Sequence, residues 1–293
     1  MKIPLLLPIL VASGLSFTVA PAAETQSANF PSHVIEHSQL RVLAPNAAGR
    51  HYQLHIGLPA SYSKETSKRY PVVFVTDAYW DFVKITSIGG GLVYDKVVPE
   101  FITVGLGYAG ENLNYGNLRR WELSPVAFGD ATSSGHAPDF LNTIENEIIP
   151  FVESEYRADP SYRVLAGASL GGLFTLYAMY TKPDLFHAYI AATPAVIVGD
   201  DWLLDYEEKF MQSQRPLQTR LFVSGGGDES PGFLGGILRF NQRISSRALK
   251  GMAYKFRLID GERHAGMQFE SYSRGLRFAF APLAPESGPS GDR

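Results

Sequence analysis

Short apolar runs that alternate with amphipathic helical segments are the feature that most restricts how this chain can fold. The runs at 71–77 and 101–107 are mainly apolar, as expected for central parallel strands that are buried on both faces. Between Phe140 and Tyr156 the apolar residues recur every three or four positions, which predicts an amphipathic helix that Pro150 should bend. This alternation predicts an α/β protein with a mostly parallel central sheet and helices on both faces.

Further elements follow from the same patterns. Polar and apolar residues alternate over 51–58, which predicts a half-buried strand. The segment 108–137 has no clear period and is predicted to be a long loop, a kind of segment that is usually functional. Asp200 and Asp201 are expected to start a helix, with Glu207 and Glu208 on its solvated face. The remaining predicted strands are 162–166, 188–192, 221–225 and 254–259, and the remaining predicted helices are 170–180, about 234–249 and a last one from about Met267.

Composition excludes several classes of function. The chain has 293 residues, no cysteine and a formal net charge of −3. Without cysteine, disulfides, thiolate metal sites and a cysteine nucleophile are excluded. The small negative charge and the lack of a basic run predict no nucleic-acid partner. His51 and His55 share one strand face without a nearby carboxylate, so no metal site is predicted, and no cofactor-binding motif is found.

The two ends of the chain differ in composition from the middle. Lys2 precedes an apolar stretch that ends in the small-x-small site Ala20-Pro21-Ala22. Residues 1–22 are therefore predicted to be a cleavable signal peptide, with the mature protein periplasmic or secreted and not stably inserted in a membrane. A permanent anchor is the alternative, although two prolines and a glycine interrupt the stretch. Residues 281–293 are predicted to be a disordered tail, which leaves 23–280 as a single domain.

The segment Gly167-Ala-Ser169-Leu-Gly171 carries the candidate nucleophile. A predicted strand leads into it and a predicted helix leaves it, which is the arrangement of a nucleophile elbow. Gly167, Gly171 and Gly172 would remove Cβ atoms that otherwise keep strand and helix apart. The alternative is an ordinary strand-to-helix turn in which the glycines serve packing alone.

A serine nucleophile needs a base and an acid that orients the base. Of the seven histidines, only His264 follows the last predicted strand, at the carboxyl edge of the sheet, and it is the predicted base. The acid should lie between the serine and the histidine in chain order. Asp228 and Glu229 both follow the strand at 221–225; Glu229 is favoured, and Asp228 remains open.

Several blocks of the chain together resemble the putative-esterase family of the α/β-hydrolases, the group of siderophore trilactone esterases and S-formylglutathione hydrolases. The resemblance covers most of residues 33–280 and rests on 69–77, 119–125, 140–154, 162–174, 183–186 and His264. It implies the α/β-hydrolase fold and a serine esterase activity, and it favours Glu229 as the acid through Gly226-Gly-Asp-Glu229. The chain departs from siderophore-esterase relatives at Glu122, Ser124, Thr193-Pro-Ala195 and the single Trp202, which leaves the substrate open.

The oxyanion of an ester transition state needs two backbone N–H donors, one after the nucleophile and one after the third strand. Leu170 is predicted to supply the first donor and Tyr79, rather than Ala78, the second. Five aromatic residues are expected in loops over the same edge of the sheet: Tyr79, Trp80, Tyr108, Tyr115 and Trp121. The residues predicted to bind the small-molecule ester are Trp80, Tyr115, Trp121 and Arg119.

The sequence therefore predicts an exported, cofactor-free serine esterase that acts through a Ser-His-acid triad and an acyl-enzyme intermediate. Two alternatives remain open. One is an acyltransferase that uses the same triad, and the other is a catalytically inactive binding protein that keeps the hydrolase fold. No oligomeric state is predicted.

Overall fold

An eight-stranded sheet forms the centre of the protein in a computed structural model that describes residues 34–46, 49–129, 134–247 and 249–284. From Ile35 onward the described residues form one compact unit. The strands are β1 (Ser38–Val42), β2 (Tyr52–Gly57), β3 (Tyr70–Val75), β4 (Ile102–Tyr108), β5 (Ala158–Ala168), β6 (Ala188–Ala192), β7 (Thr219–Gly226) and β8 (Met252–Ile259).

The strands lie in the order β1-β2-β4-β3-β5-β6-β7-β8. Strand β2 is antiparallel to both of its neighbours, and all pairs from β4 to β8 are parallel. Parallel strands end at the same edge of a sheet, so the segments that follow β3, β5, β7 and β8 meet there. The predicted α/β-hydrolase architecture is confirmed.

The helices cover both faces of this sheet. They are α1 (Ala78–Tyr94), α2 (Tyr115–Leu123), α3 (Ala137–Thr143), α4 (Ile149–Glu155), α5 (Leu170–Thr181), α6 (Trp202–Gln212), α7 (Pro231–Ser246) and α8 (Met267–Ala279). A π-helical segment, Ile144–Ile148, joins α3 to α4, and Ala281–Leu283 form a turn of 3₁₀ helix after α8.

Alternate residues of β3 separate two hydrophobic clusters. Val72 and Phe74 belong to a cluster that includes the buried faces of α5 and α7. Val73 and Val75 belong to a second cluster that includes residues of α1 and α8. Because successive side chains of a strand point to opposite faces, the two clusters fill the two sides of the sheet, and all six residues of β3 are buried.

Pro150 lies at the start of α4, directly after the π-helical segment. The Ile149 N–H donates to the carbonyl of Ile144, five residues earlier, whereas a regular α-helix bonds four residues back. Proline has no N–H and its ring crowds the preceding turn, so the wider turn lets the helix pass this position. The predicted helix is therefore interrupted next to Pro150, by a turn of π-helix.

Four elements of the described residues were not predicted: β1, α1, α2 and the 3₁₀ turn Ala281–Leu283, which lies within the predicted tail. The expectation that five aromatic residues lie in loops is therefore wrong. Tyr79 and Trp80 lie on the first turn of α1, Tyr115 and Trp121 lie on α2, and Tyr108 ends β4. The solvated face predicted for Glu207 is also wrong. Its side chain is buried. Its carboxylate oxygens lie 3.5 Å from Arg243, on α7, and 3.2 Å from Arg247, the residue after α7.

The predicted signal peptide, residues 1–22, lies outside the described residues, as does the segment 285–293 of the predicted tail. Within the described part of the chain, no helix is both long and apolar enough to cross a membrane.

Candidate active site

Ser169 lies at the junction of β5 and α5 with a backbone that few non-glycine residues adopt. Its φ is 58° and its ψ is −118°. Its N–H donates to the carbonyl of Ala192 at 3.0 Å, and its own carbonyl accepts from the N–H groups of Leu173 and Ala195. These hydrogen bonds stabilise the strained turn, which exposes the serine side chain at the carboxyl edge of the sheet.

The glycines around Ser169 allow backbone approaches that no other residue would. A Cβ on Gly167 would lie 2.4 Å from the carbonyl oxygen of Gly171, and one on Gly171 would lie 2.2 Å from Oγ1 of Thr76. On Gly172 it would lie 2.9 Å from Cα of Pro194. The predicted steric reason for the three glycines is therefore confirmed.

His264 lies in the connection between β8 and α8. Its Nδ1 is 3.0 Å from Oε2 of Glu229, and its ring meets the ring of Phe233 edge-on at 4.9 Å. The imidazole is 42% exposed. Because an ionised carboxylate only accepts hydrogen bonds, Nδ1 must carry a proton, which leaves Nε2 as the acceptor of the neutral ring.

Glu229 lies in a polar niche that favours its ionised form. Its side chain is 2% exposed, and its Oε1 accepts from the Thr193 hydroxyl and from the Gly226 N–H. Burial acts to raise the pKa of Glu229, but the hydrogen bonds from His264, Thr193 and Gly226 outweigh it and hold this pKa below the usual glutamate value. Asp228, the other candidate acid, is exposed, and its N–H donates to the Glu262 carbonyl.

Thr193 is a member of this niche that sequence reasoning did not assign. Its hydroxyl also lies 3.3 Å from Nδ1 of His264, and its backbone has a positive φ of 41°. The departure at Thr193-Pro-Ala195 was visible in the sequence, but a threonine after a strand carries no signal of its partner. Only the parallel pairing of β6 with β7 brings it beside Glu229.

Ser169 and His264 line the same cleft, a cavity of about 260 Å³ whose wall also includes Trp80, Lys84 and Arg119. A second cavity of about 660 Å³ is also lined by His264, together with Asp228, Phe233 and Arg263 among others. The structure thus brings the predicted nucleophile and the predicted base to one cleft, and the predicted base also borders a second cavity.

The two predicted oxyanion donors begin two neighbouring helices. Leu170 is the first residue of α5, and Tyr79 is the second residue of α1. Strands β3 and β5, which precede these helices, are paired in parallel, with Val75 opposite Ala166. N–H groups of a first turn have no acceptor within their own helix and attract negative charge, so both are free to serve an oxyanion.

Asp77, immediately before α1, is held by Arg119 from α2. Asp77 has left-handed backbone angles, with φ of 53°, and its two carboxylate oxygens accept from Nε and Nη2 of Arg119 at 2.8 and 2.9 Å. Burial acts to lower the pKa of Arg119, but Asp77 outweighs it and raises that pKa. The pair fixes the turn that carries the predicted donor Tyr79.

Three aromatic rings form a cluster beside the cleft. The rings of Tyr79 and Tyr115 stack at 4.5 Å, and Trp80 meets Tyr79 edge-on at 5.3 Å. Tyr79 and Trp80 are 58% and 45% exposed, so their faces are available to a ligand. Trp121 is not part of this cluster, because its ring stacks on His136 at 3.6 Å and lies 3.8 Å from the Arg50 guanidinium.

Comparison with known proteins identifies the family. A model of the Putative esterase family matches residues 45–223. The chain belongs to this family. The match runs from before β2 to residue 223, within β7, and so includes Ser169 and its elbow.

This esterase has relatives named for siderophore hydrolysis. It is 26% identical over 266 residues to the ferri-bacillibactin esterase BesA of Bacillus subtilis, a match that covers 85% of this chain and 91% of that one. It is 25% identical over 274 residues to the siderophore triacetylfusarinine C esterase of Aspergillus fumigatus, covering 80% and 90% of the two chains. The structure of an IroE-like serine hydrolase from Shewanella oneidensis superposes with a TM-score of 0.76 at 25% identity, covering 85% and 82%. The protein is a carboxylic ester hydrolase.

Glu122 of the esterase is a buried carboxyl near the end of α2. Its side chain is fully buried, and Oε1 accepts from the Tyr52 hydroxyl at 2.7 Å. Burial raises the pKa of Glu122 to about 7, although Tyr52 and Arg50 act in the opposite direction. Glu122 and Arg119 therefore anchor α2 through one buried and one partly buried polar contact. Among the described residues, no group of side chains is suited to hold a metal ion.

Proposed function

We propose that the protein is an exported serine esterase in which Ser169 is the nucleophile, His264 the general base and Glu229 the acid of the triad. The observation that supports this most directly is the hydrogen bond of 3.0 Å between Glu229 and Nδ1 of His264. It leaves Nε2 to accept a proton, in a cleft that His264 shares with Ser169.

The proposed reaction has two halves. In the first, Oγ of Ser169 attacks the ester carbonyl while Nε2 of His264 takes the hydroxyl proton, and the N–H groups of Leu170 and Tyr79 bind the oxyanion. The tetrahedral intermediate collapses, the alcohol leaves with the proton from His264, and an acyl-enzyme remains. In the second half, His264 takes a proton from water, the hydroxide attacks the acyl carbon, and the proton returns to Ser169 as the carboxylic acid departs.

We propose siderophore esters as the substrate class. Two of the relatives are named for such substrates, ferri-bacillibactin and triacetylfusarinine C. Exposed aromatic side chains next to the cleft suit a bulky ligand that cannot be fully enclosed. Trp80, Tyr115 and Arg119 are the proposed substrate contacts, since Trp80 and Arg119 line the cleft and Tyr115 stacks at its margin.

Covalent labelling tests the triad. A fluorophosphonate probe should label the wild-type protein at Ser169 alone, and Ser169→Ala and His264→Ala should lose labelling and ester hydrolysis while their melting temperatures stay near that of the wild type. A folded wild-type protein that hydrolyses esters but resists the probe would contradict the serine mechanism. Hydrolysis of bacillibactin and triacetylfusarinine C, with and without iron, should then exceed that of simple alkyl esters.

Export is proposed from the first residues of the sequence, Lys2, the apolar stretch and Ala20-Pro21-Ala22. The mature protein should begin near residue 23 when it is recovered from the periplasm or medium and its N-terminus is determined. Recovery of the uncleaved chain from the cytoplasm would contradict this part of the proposal.

A further inference from the structure

The backbone carbonyl of His264 is held by a side chain. Gln268, in the first turn of α8, donates from Nε2 to this carbonyl at 3.2 Å. In a regular helix the backbone N–H of residue 268 would bond to residue 264, but this N–H donates to the carbonyl of Ala265 instead. The Gln268 amide thus supplies the hydrogen bond that the backbone does not, and it does so from a buried position.

The orientation of the Gln268 amide is fixed by Lys84. The Lys84 ammonium lies 2.6 Å from Oε1 of Gln268 and 2.7 Å from Oδ1 of Asp81. An ammonium group only donates hydrogen bonds, so the amide oxygen must face Lys84 and the amide NH₂ must face the carbonyl of His264. Lys84 therefore determines which end of the amide reaches His264.

The remaining contact ties this arrangement to the core. The Tyr272 hydroxyl donates to Oδ2 of Asp81, and both side chains are almost fully buried. Asp81 and Lys84 lie one turn apart on α1, and Gln268 and Tyr272 lie one turn apart on α8. These four residues form a polar network that joins the helix carrying Tyr79 to the helix that follows His264.

We infer that Gln268 is a positioning residue for His264 and that Lys84 acts through it by fixing its amide. The inference rests on the proposed function, because it concerns the base of that mechanism. The 42% exposed imidazole is held by Glu229 and Phe233 at its ring, and the network holds its backbone. A base that pivots about its backbone moves Nε2 away from Ser169, and a displacement of about 1 Å costs roughly 100-fold in rate.

The test compares variants that separate the two ends of the amide. Gln268→Met keeps the length of the side chain and removes both hydrogen bonds, whereas Gln268→Glu keeps an acceptor for Lys84 and removes the donor to His264. We expect both to lower kcat on a small activated ester by roughly 10- to 100-fold with little change in KM. The rate of fluorophosphonate labelling at Ser169 should fall in parallel. Glu270→Gln, on the same turn of α8, is the matched control and should leave both rates unchanged.

Lys84 supplies a second, independent pair of variants. Lys84→Met should lower kcat because the amide is free to turn, and Lys84→Arg should restore most of it because a donor to Oε1 remains. The Nδ1–H proton resonance of His264 should broaden in Lys84→Met and sharpen again in Lys84→Arg, which a purely structural role would not produce.

The outcomes separate this inference from the function on which it rests. If the wild-type protein is not labelled at Ser169, the proposed function fails and the positioning role fails with it. If the wild type is labelled and Gln268→Met and Gln268→Glu are labelled at the wild-type rate, the positioning role alone is overturned, whatever happens to their melting temperatures.

Discussion

Oε2 of Glu229 lies 3.0 Å from Nδ1 of His264, whereas Asp228, one residue earlier, is exposed and takes no part in this contact. Adjacent loop residues point in different directions, so one carboxylate can reach the ring and the other faces water. The two alternatives that the sequence left open thus differ in geometry, and they can be separated by exchanging each carboxylate for its amide.

We expect Glu229→Gln to lower kcat by on the order of 10⁴, because an amide at this position favours the wrong imidazole tautomer. Asp228→Asn should change kcat only a few-fold, because exposed charges interact weakly through water. Both values should be measured at one pH on one ester. A severe Asp228→Asn together with a mild Glu229→Gln would assign the acid to Asp228.

Two roles of Arg119 can be separated by experiment: holding the turn before α1 through Asp77, and binding the substrate. Arg119→Lys keeps the charge but loses the two-point contact with Asp77, and we expect kcat to fall by roughly 10- to 100-fold as the turn before Tyr79 loosens. Arg120→Lys, an exposed neighbour, is the control. Steady-state kinetics distinguish positioning from substrate binding. A rise in KM at unchanged kcat would indicate that Arg119 only binds the substrate and does not position the turn.

Tyr115 and Trp121 should differ in their effect on substrate binding. Tyr115→Ala removes a ring that stacks at the cleft, and we expect KM for an aromatic ester to rise about five-fold, the equivalent of about 1 kcal/mol of ring stacking. Trp121→Ala removes contacts with Arg50 and His136 and should lower the melting temperature with little effect on KM. An equal rise in KM for both variants would extend the binding surface to Trp121.

Glu122 should make the stability of the protein depend on pH. Its pKa is raised by burial from 4.5 to about 7, so the folded state holds the proton more tightly than the unfolded state. The contribution of Glu122 to the free energy of unfolding is fully present below about pH 4.5 and is lost as the pH rises through about 7. The total loss is roughly 3 kcal/mol.

Gln at position 122 in Glu122→Gln stays neutral at every pH. The free energy of unfolding of this variant, minus that of the wild type, should therefore increase between about pH 5 and about pH 8. Urea titrations at both pH values measure the difference, with the exposed Glu147→Gln as the control. A difference that is the same at both pH values would show that Glu122 titrates normally.

The part of the fold around Ser169 could be predicted because local signals and burial agree there. Strand β6 and the starts of α5 and α8 lie where the patterns placed them, and the glycines of the elbow have the steric role expected of them. The register at the end of β7 also placed Glu229 next to the edge where it meets His264.

Helix α1 could not be predicted because its sequence argues against a helix. It contains three consecutive glycines, Gly89 to Gly91, and glycine is among the poorest helix formers. Tertiary packing explains the first of them, since a Cβ on Gly89 would lie 2.4 Å from the Phe101 ring. Helix α2 and the burial of Glu122 and Glu207 likewise depend on partners from distant parts of the chain, which no local pattern reveals.

The positive φ of Ser169 makes the proposed nucleophile a source of strain in the folded protein. A residue with φ of 58° and ψ of −118° occupies a region that is costly for any side chain with a Cβ, by about 1–3 kcal/mol, and that glycine enters freely. Ser169→Gly should therefore unfold at a higher temperature than the wild type, while Ser169→Ala should not. The residue that this backbone favours on stability alone has no hydroxyl group, so the proposed nucleophile is present at a cost to the free energy of unfolding.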